Sequence, residues 1–414
     1  MSSSITACAT AVAEDVDFEP GDAQAAGFSP ERLARIEKVF DRDVQRGAIP
    51  GAVILIARHG KVVYSGVFGY RDPVTRSTMT LDAQFRLASM TKPVVSVAAM
   101  LLVEEGRMQL TDAVSMYLPE LKERRVETDG AENSSVAAHE MTIHDLMRHT
   151  SGLTYGEFGT SNVHKKYVHA DLLNPAQSSS EFLHKLASLP LLHQPGTTFE
   201  YGLSTDVLGC LVEKVSGLGL DRFIAERIAQ PLGLKSFSFQ ISASDAMSLA
   251  RPLPGAGEEA LNALNSELRP QAWMSGGGGL NGNARDYLRF AQTLLNGGTL
   301  EGVRLLSPKT VALMLSDALP PDVGYGEYVD ALGFMAPTAA FGQGFGLGLT
   351  VRTVAGRNPL PGSPGDASWA GRWGTYFWID PLEGLACVLL MQASPERARY
   401  RALARTLVYQ ALLA

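Results

Sequence analysis

The sequence predicts an α/β protein in which one sheet, assembled from both ends of the chain and flanked by the terminal helices, carries an inserted, mainly helical lobe. Three observations predict it. Strand-like runs fall near the two ends of the sequence, helix-like segments fill the middle, and 414 residues exceed what one compact core usually holds.

The first stretch, from Met1 through Ala13, lacks Lys and Arg and then turns acidic at Glu14, Asp15 and Asp17. A secretory signal needs a positively charged start, so residues 1–27 are expected to be a disordered leader. Residues 29–47 open with Ser29-Pro30-Glu31 and repeat apolar positions at Leu33, Ile36, Val39 and Phe40. An N-cap serine, a proline at the first helical position and an apolar face at helical spacing predict a helix. Two β-rich runs, 51–57 and 62–68, flank Arg58-His59-Gly60-Lys61 and predict a hairpin. Residues 89–105 are apolar and end at Gly106, a buried helix with its natural stop. Between 107 and 280, helices are expected over 203–217 and 219–230, and residues 124–140 read as an exposed excursion. Gly276-Gly277-Gly278-Gly279 marks a change of organisation, after which 286–295 reads as a helix. Residues 345–351, 374–379 and 385–391 have strand composition, and a last helix covers 396–412. The expected division is therefore 28–106 with 281–414 as the α/β domain, and 107–280 as the helical one.

Hydrophobic residues make up 45% and charged residues 19%, ample material for a core. A net charge of -7 without a run of Lys or Arg excludes a nucleic-acid footprint. No apolar run approaches the ~20 residues of a membrane helix, so no membrane partner and a cytoplasmic location are expected. Cys8, Cys210 and Cys387 stand far apart without a CxxC pair, which suits a reduced compartment. The histidines lack ligand spacing such as HExxH, and neither metal nor cofactor is expected.

Three places can carry chemistry. Ser89-Met90-Thr91-Lys92 opens the buried helix, where positions i and i+3 share a face, so hydroxyl and amine can meet. Free N–H groups at the helix start favour a developing anion there. A capping serine beside a surface lysine would give the same tetrad. Tyr201 follows the turn-rich Gln194-Pro195-Gly196-Thr197-Thr198 and precedes a helix, a place from which a phenol can relay a proton to a serine, or simply pack under a loop. Trp369-Ala370-Gly371 precedes Arg372 and a strand. Its small residues would let backbone approach a ligand, with an N–H near Arg372 facing an oxyanion, although an aromatic-rich strand would look the same.

The setting Phe85-Arg86-Leu87-Ala88-Ser89-Met90-Thr91-Lys92-Pro93 resembles the first motif of class C β-lactamases, DD-peptidases and family VIII carboxylesterases. Further segments match in the same order: 106–112 with Tyr117-Leu118-Pro119, 143–146 with His149-Thr150-Ser151-Gly152, Pro195-Gly196 leading to Tyr201, 276–280, and 369–381. The resemblance implies a β-lactamase/transpeptidase-like fold with an antiparallel sheet. It also implies Ser89 as nucleophile, Lys92 as neighbouring base, Tyr201 as second-motif tyrosine, and the Ser89 and Arg372 N–H groups as oxyanion hole. Trp369, Ala370, Gly371 and Tyr155 are implied in substrate binding, and Ser151 is implied to be structural. The sequence has no GxSxG elbow. Two departures matter. Tyr201-Gly202-Leu203 lacks the asparagine of Tyr-x-Asn, and Trp369 stands where lactamases carry Lys. Both resemble the esterase branch, so a small-molecule ester is the implied substrate. Residues 154–195, with Tyr155, Phe158, Tyr167, Leu172, Leu173, Phe182, Leu191 and Leu192, are implied around the acyl pocket, and Arg372 is the one nearby cation. The alternatives are a β-lactamase or D-amino-acid peptidase, an acyltransferase using the same triad, and a binding protein with a dead site.

Overall fold

The computed structural model describes residues 21–127, 134–242, 245–255 and 271–413. The chain first forms helix α1 (Pro30–Gln45), whose Ser29 cap accepts from the Arg32 N–H, and then the hairpin β1 (Gly51–Arg58) and β2 (Lys61–Asp72) with the short β3 (Ser77–Thr78). Helix α2 (Thr91–Glu104) is followed by α3 (Ile143–Met147), α4 (Asn162–His169), α5 (Ser179–Ala187), α6 (Ser204–Ser216) and α7 (Leu220–Ile224). The chain then returns through α8 (Ala284–Leu295) and α9 (Pro308–Met314) to strands β4 (Gln343–Phe345), β5 (Thr350–Arg352), β6 (Ala367–Ala370), β7 (Tyr376–Asp380) and β8 (Leu385–Met391), and helix α10 (Arg397–Tyr409).

The eight strands form one sheet in the order β4-β5-β6-β7-β8-β1-β2-β3. The two ends of the chain meet at its centre, where β1 and β8 pair antiparallel with Ala52 opposite Met391 and Arg58 opposite Leu385. All eight residues of β1 are buried because helices cover both faces. Val53, Leu55 and Ala57 join the core that contains α2 and α8, whereas Ala52, Ile54 and Ile56 join the one formed with α1 and α10.

Several expectations change. The single strand expected over 345–351 is two antiparallel strands, β4 and β5, because the chain turns back with Gly346 N–H donating to Leu349 O (2.8 Å) and Gly348 at φ 94°. Residues 21–27, expected in the leader, are held instead by Gly21 N–H on Val62 O (2.8 Å) and by a turn ending at buried Phe28. The rest of that leader lies outside the described residues. The excursion expected over 124–140 is anchored at its start. Arg124 is buried and donates to the carbonyls of Leu186, Ala187 and Leu189, and Arg125–Val126 pairs with Ser135–Val136. The helix expected over 219–230 divides into α7 and a wider π-type turn, Ala225–Ala229.

The chain leaves for the helical segments and returns from them at one place. Phe85–Arg86 pairs with Asn281–Gly282, Leu87 N–H donates to Leu280 O (3.0 Å), and Leu280 N–H donates to Thr91 Oγ1 (3.0 Å). These bonds lay the four-glycine segment beside the turn that carries Ser89.

Candidate active site

Ser89 sits on a 3₁₀ turn, Ala88–Met90, rather than inside α2, and Ala88 before it holds φ 48°. A Cβ-bearing residue in that left-handed region is strained, and the turn that holds it places Ser89 on the wall of a cavity. Lys92 follows in the first turn of α2, fully buried, with Nζ 3.3 Å from Ser89 Oγ. Its amine also donates to the Gly277 carbonyl (2.7 Å) and to Tyr155 Oη (3.1 Å). Burial pushes the Lys92 ammonium down to about 7; Arg372 assists this and Asp206 opposes it.

Asp206 is a participant that sequence reasoning missed. Its carboxylate, in the first turn of α6, accepts from Ser275 Oγ (2.5 Å), Gly277 N–H (3.0 Å) and Tyr155 Oη (3.2 Å). Burial raises its pKa, while Lys92 and these donors lower it. The available signal was an acid five residues after Tyr201, near the N-terminus of an otherwise apolar helix. Tyr155, expected only to line the pocket, therefore bridges Lys92 and Asp206. Gly277 must be glycine here, since a Cβ would lie 2.3 Å from Asp206 Oδ2 and 2.6 Å from Tyr155 Oη.

Tyr201 stands at the entrance to α6, with Lys92 Nζ 4.7 Å from its ring centre and the rings of His149, Trp369, Tyr155 and Tyr328 at 5.0, 5.3, 5.7 and 5.8 Å. Burial raises its pKa, and the neighbouring Ser89 hydroxyl pulls the other way. Ser151 is buried with its Oγ 2.8 Å from Ser204 Oγ, inside the packing below the site.

Trp369 and Ala370 end β6 beside the nucleophile, and Gly371 opens the turn that follows. A Cβ on Gly371 would meet Leu87 O at 2.2 Å and Thr375 Oγ1 at 2.3 Å, so only glycine allows this strand to approach the Ser89 turn. Arg372, half-exposed, pairs its guanidinium with Glu157 (2.8 Å) across the mouth of the site.

These residues line one cavity of ≈ 260 Å³, bounded by Ser89, Tyr155, Tyr201, Gly277 and the segment from Trp369 to Arg372. Of the wall expected from 154–195, Tyr155, Phe158 and Leu173 face it. Phe182 instead stacks on Trp273 at 4.5 Å, Leu191 and Leu192 belong to the core, and Tyr167 and Leu172 line a neighbouring hollow. Long-range folding supplies what sequence order hid: Trp273, Tyr328, Leu332, Met335 and Trp373 complete the wall. Arg372 is not the one nearby cation, since Arg397 and Arg401 of α10 also line the cavity.

The sequence matches the Beta-lactamase family model over residues 36–410. The chain belongs to the β-lactamase family. It is 32% identical over 382 residues to Esterase EstB of Burkholderia gladioli, covering 88% of this chain and 91% of that one. It is 36% identical over 375 residues to Protein Rv1367c of Mycobacterium tuberculosis, covering 88% and 90%. Among solved structures it resembles EstCE1, a hydrolase with promiscuous acyltransferase activity, at a TM-score of 0.75 and 30% identity over 92% of this chain and 99% of that one. The protein is thus a serine hydrolase of the β-lactamase family, on the side of its family VIII carboxylesterases, with the antiparallel sheet flanked by helices that the resemblance implied. No helix among the described residues is long and apolar enough to cross a membrane.

Proposed function

We propose that the protein hydrolyses short- to medium-chain carboxylic esters through an acyl-enzyme on Ser89. The observation that carries this reading is the hydrogen-bond inventory of Lys92. A neutral amine has two N–H donors and one lone pair. Gly277 O and Tyr155 Oη take the donors, and Tyr155 spends its own proton on Asp206, so the lone pair is left for Ser89. With a pKa near 7, Lys92 is substantially neutral at pH 8, whereas the raised pKa of Tyr201 keeps it a phenol. Lys92 is therefore the base.

Ser89 Oγ attacks the ester carbonyl and its proton passes to Lys92. The carbonyl oxygen becomes an oxyanion facing the N–H groups of Ser89 and Arg372. When the tetrahedral adduct collapses, the leaving alkoxide takes the Tyr201 proton, and Lys92 restores it. Water then attacks the acyl group, the same residues work in reverse, and Ser89 regains its proton. No step calls on a metal or cofactor.

Lys92 must be neutral, so kcat/KM is expected to rise with pH through about 7 and level off above. Asp206 favours the charged amine; Asp206→Asn removes that support, and the rising limb should move to lower pH. A limb that stays in place or moves up would show that Lys92 is not the titrating base.

Trp369 in place of a cationic third-motif residue supports neutral esters over cephalosporins. A lost charged hydrogen bond is worth about 1.5–3 kcal/mol, so kcat/KM for nitrocefin should fall roughly ten- to a hundredfold below that for p-nitrophenyl butyrate. Arg397 and Arg401 keep the expected value above zero. Equal values for the two substrates would promote the lactamase reading. The acyltransferase reading draws on the resemblance to EstCE1; ester products formed from an added alcohol would establish it as a second activity.

A further inference from the structure

We infer that Arg401 is a positioning residue for the oxyanion hole, fixing and polarising the peptide group whose carbonyl belongs to Gly371 and whose N–H belongs to Arg372. The inference rests on the oxyanion role proposed for that N–H. A trans peptide is planar, and its C=O and N–H point in opposite directions, so whatever holds the oxygen aims the hydrogen. Gly371 O is held twice. Gly374 N–H donates to it (3.0 Å) within the β6–β7 turn, and an Arg401 Nη2–H donates from the first turns of α10. The turn bond alone closes the loop; the guanidinium adds a cation to the far end of the peptide dipole.

The surroundings of Arg401 suit that task. Its Nε is buried without a hydrogen-bond partner, so the side chain is held in a place that leaves one of its donors unsatisfied. It is felt by the phenols of Tyr376, Tyr328 and Tyr201, and burial and Arg397 push its pKa down to about 10, which still leaves it charged at pH 8. A cation on the carbonyl oxygen withdraws electron density through the amide and strengthens the opposite N–H as a donor, most of all where water is thin. That strengthening matters more for an oxyanion than for a neutral carbonyl, so it acts on kcat rather than KM.

The test compares p-nitrophenyl butyrate with its thionoester, whose sulfur is a poor hydrogen-bond acceptor, in the wild type, Arg401→Met and Arg401→Lys. The oxo-to-thiono ratio of kcat/KM does not depend on the fraction of folded enzyme. In Arg401→Met, hydrolysis of the oxoester should fall about tenfold with KM nearly unchanged, the thionoester should lose far less, and the ratio should collapse by a similar factor. Arg401→Lys, which keeps the cation, should recover part of the ratio. An unchanged ratio, with or without slower turnover, would reduce Arg401 to a structural role and overturn the inference. If the wild type hydrolyses neither ester, the esterase reading fails instead. The inactivation rate by a fluorophosphonate, whose P=O oxygen enters the same hole, then decides the role of Arg401: a tenfold slower rate in Arg401→Met supports it and an equal rate overturns it.

Discussion

Ser89→Ala is expected to lower kcat on p-nitrophenyl butyrate by at least about 10⁴-fold while leaving the thermal unfolding midpoint within a few degrees of the parent. Without Oγ there is no covalent intermediate, and what survives is whatever the oxyanion hole and the bound geometry achieve with water. The fold should tolerate the change because Ser89 faces the cavity, and its hydroxyl contact to Lys92 is long at 3.3 Å. The turn that presents it is held from elsewhere, by Met90 N–H on Leu87 O and Tyr287 Oη on Met90 O. Ser151→Ala provides the contrast. Its hydroxyl is buried against Ser204, so the change removes a packing hydrogen bond worth about 1 kcal/mol and should leave most activity. A variant at Ser89 retaining activity within tenfold of the parent, or complete loss at Ser151 with unchanged circular dichroism, would show that the wrong serine carries the acyl group.

What the sequence disclosed, and what it hid, follows from the range of the interactions involved. Helix α1, the β1–β2 hairpin and the stop at Gly106 are written in local terms: a cap, a period, a turn residue. The covering of β1 on both faces appears as an unbroken apolar run. Strand β6 was harder to see, because Trp369-Ala370-Gly371 looks like the approach to a strand; only pairing with β5 and β7 makes it one. The 346–349 turn was hidden in an apolar stretch whose glycines carry the decisive conformation. In the site, Ser89, Lys92 and Tyr201 were legible because they fall in ordered motifs. Asp206 was not, because a carboxylate gains its role from where Gly277 and Tyr155 arrive, some seventy and fifty residues away along the chain. The second and third cavity arginines were hidden for the same reason, lying on a helix that meets Gly371 and the cavity only in three dimensions.

The second large effect is expected at the proton-transfer pair. Lys92→Ala removes the base and should lower kcat by about 10³-fold with a much smaller change in KM, because the amine contacts Ser89, Gly277 and Tyr155 rather than the space a substrate fills. Tyr201→Phe removes only the phenolic oxygen. The ring remains packed among His149, Trp369, Tyr155 and Tyr328, so the loss should again appear in kcat. The two are not independent. The Tyr201 phenol, with its raised pKa, gives up its proton readily only if Lys92, loaded by the serine, replaces it. With Lys92 gone, Tyr201 has no source from which to be reloaded; with Tyr201 gone, the proton on Lys92 lacks its route to the leaving oxygen. Each single change therefore breaks the same relay, and the double variant should fall little further than the worse single one, about 10³- to 10⁴-fold, instead of the product near 10⁶. These losses are the ones expected on an ethyl ester, whose alkoxide needs a proton to leave; p-nitrophenyl butyrate, whose phenolate leaves without one, sharpens the distinction. It should restore much of the Tyr201→Phe rate and little of the Lys92→Ala rate, since attack by Ser89 still needs the base. Losses that multiply in the double variant, or equal rescue of both single variants by the better leaving group, would mean that the two residues act in separate steps.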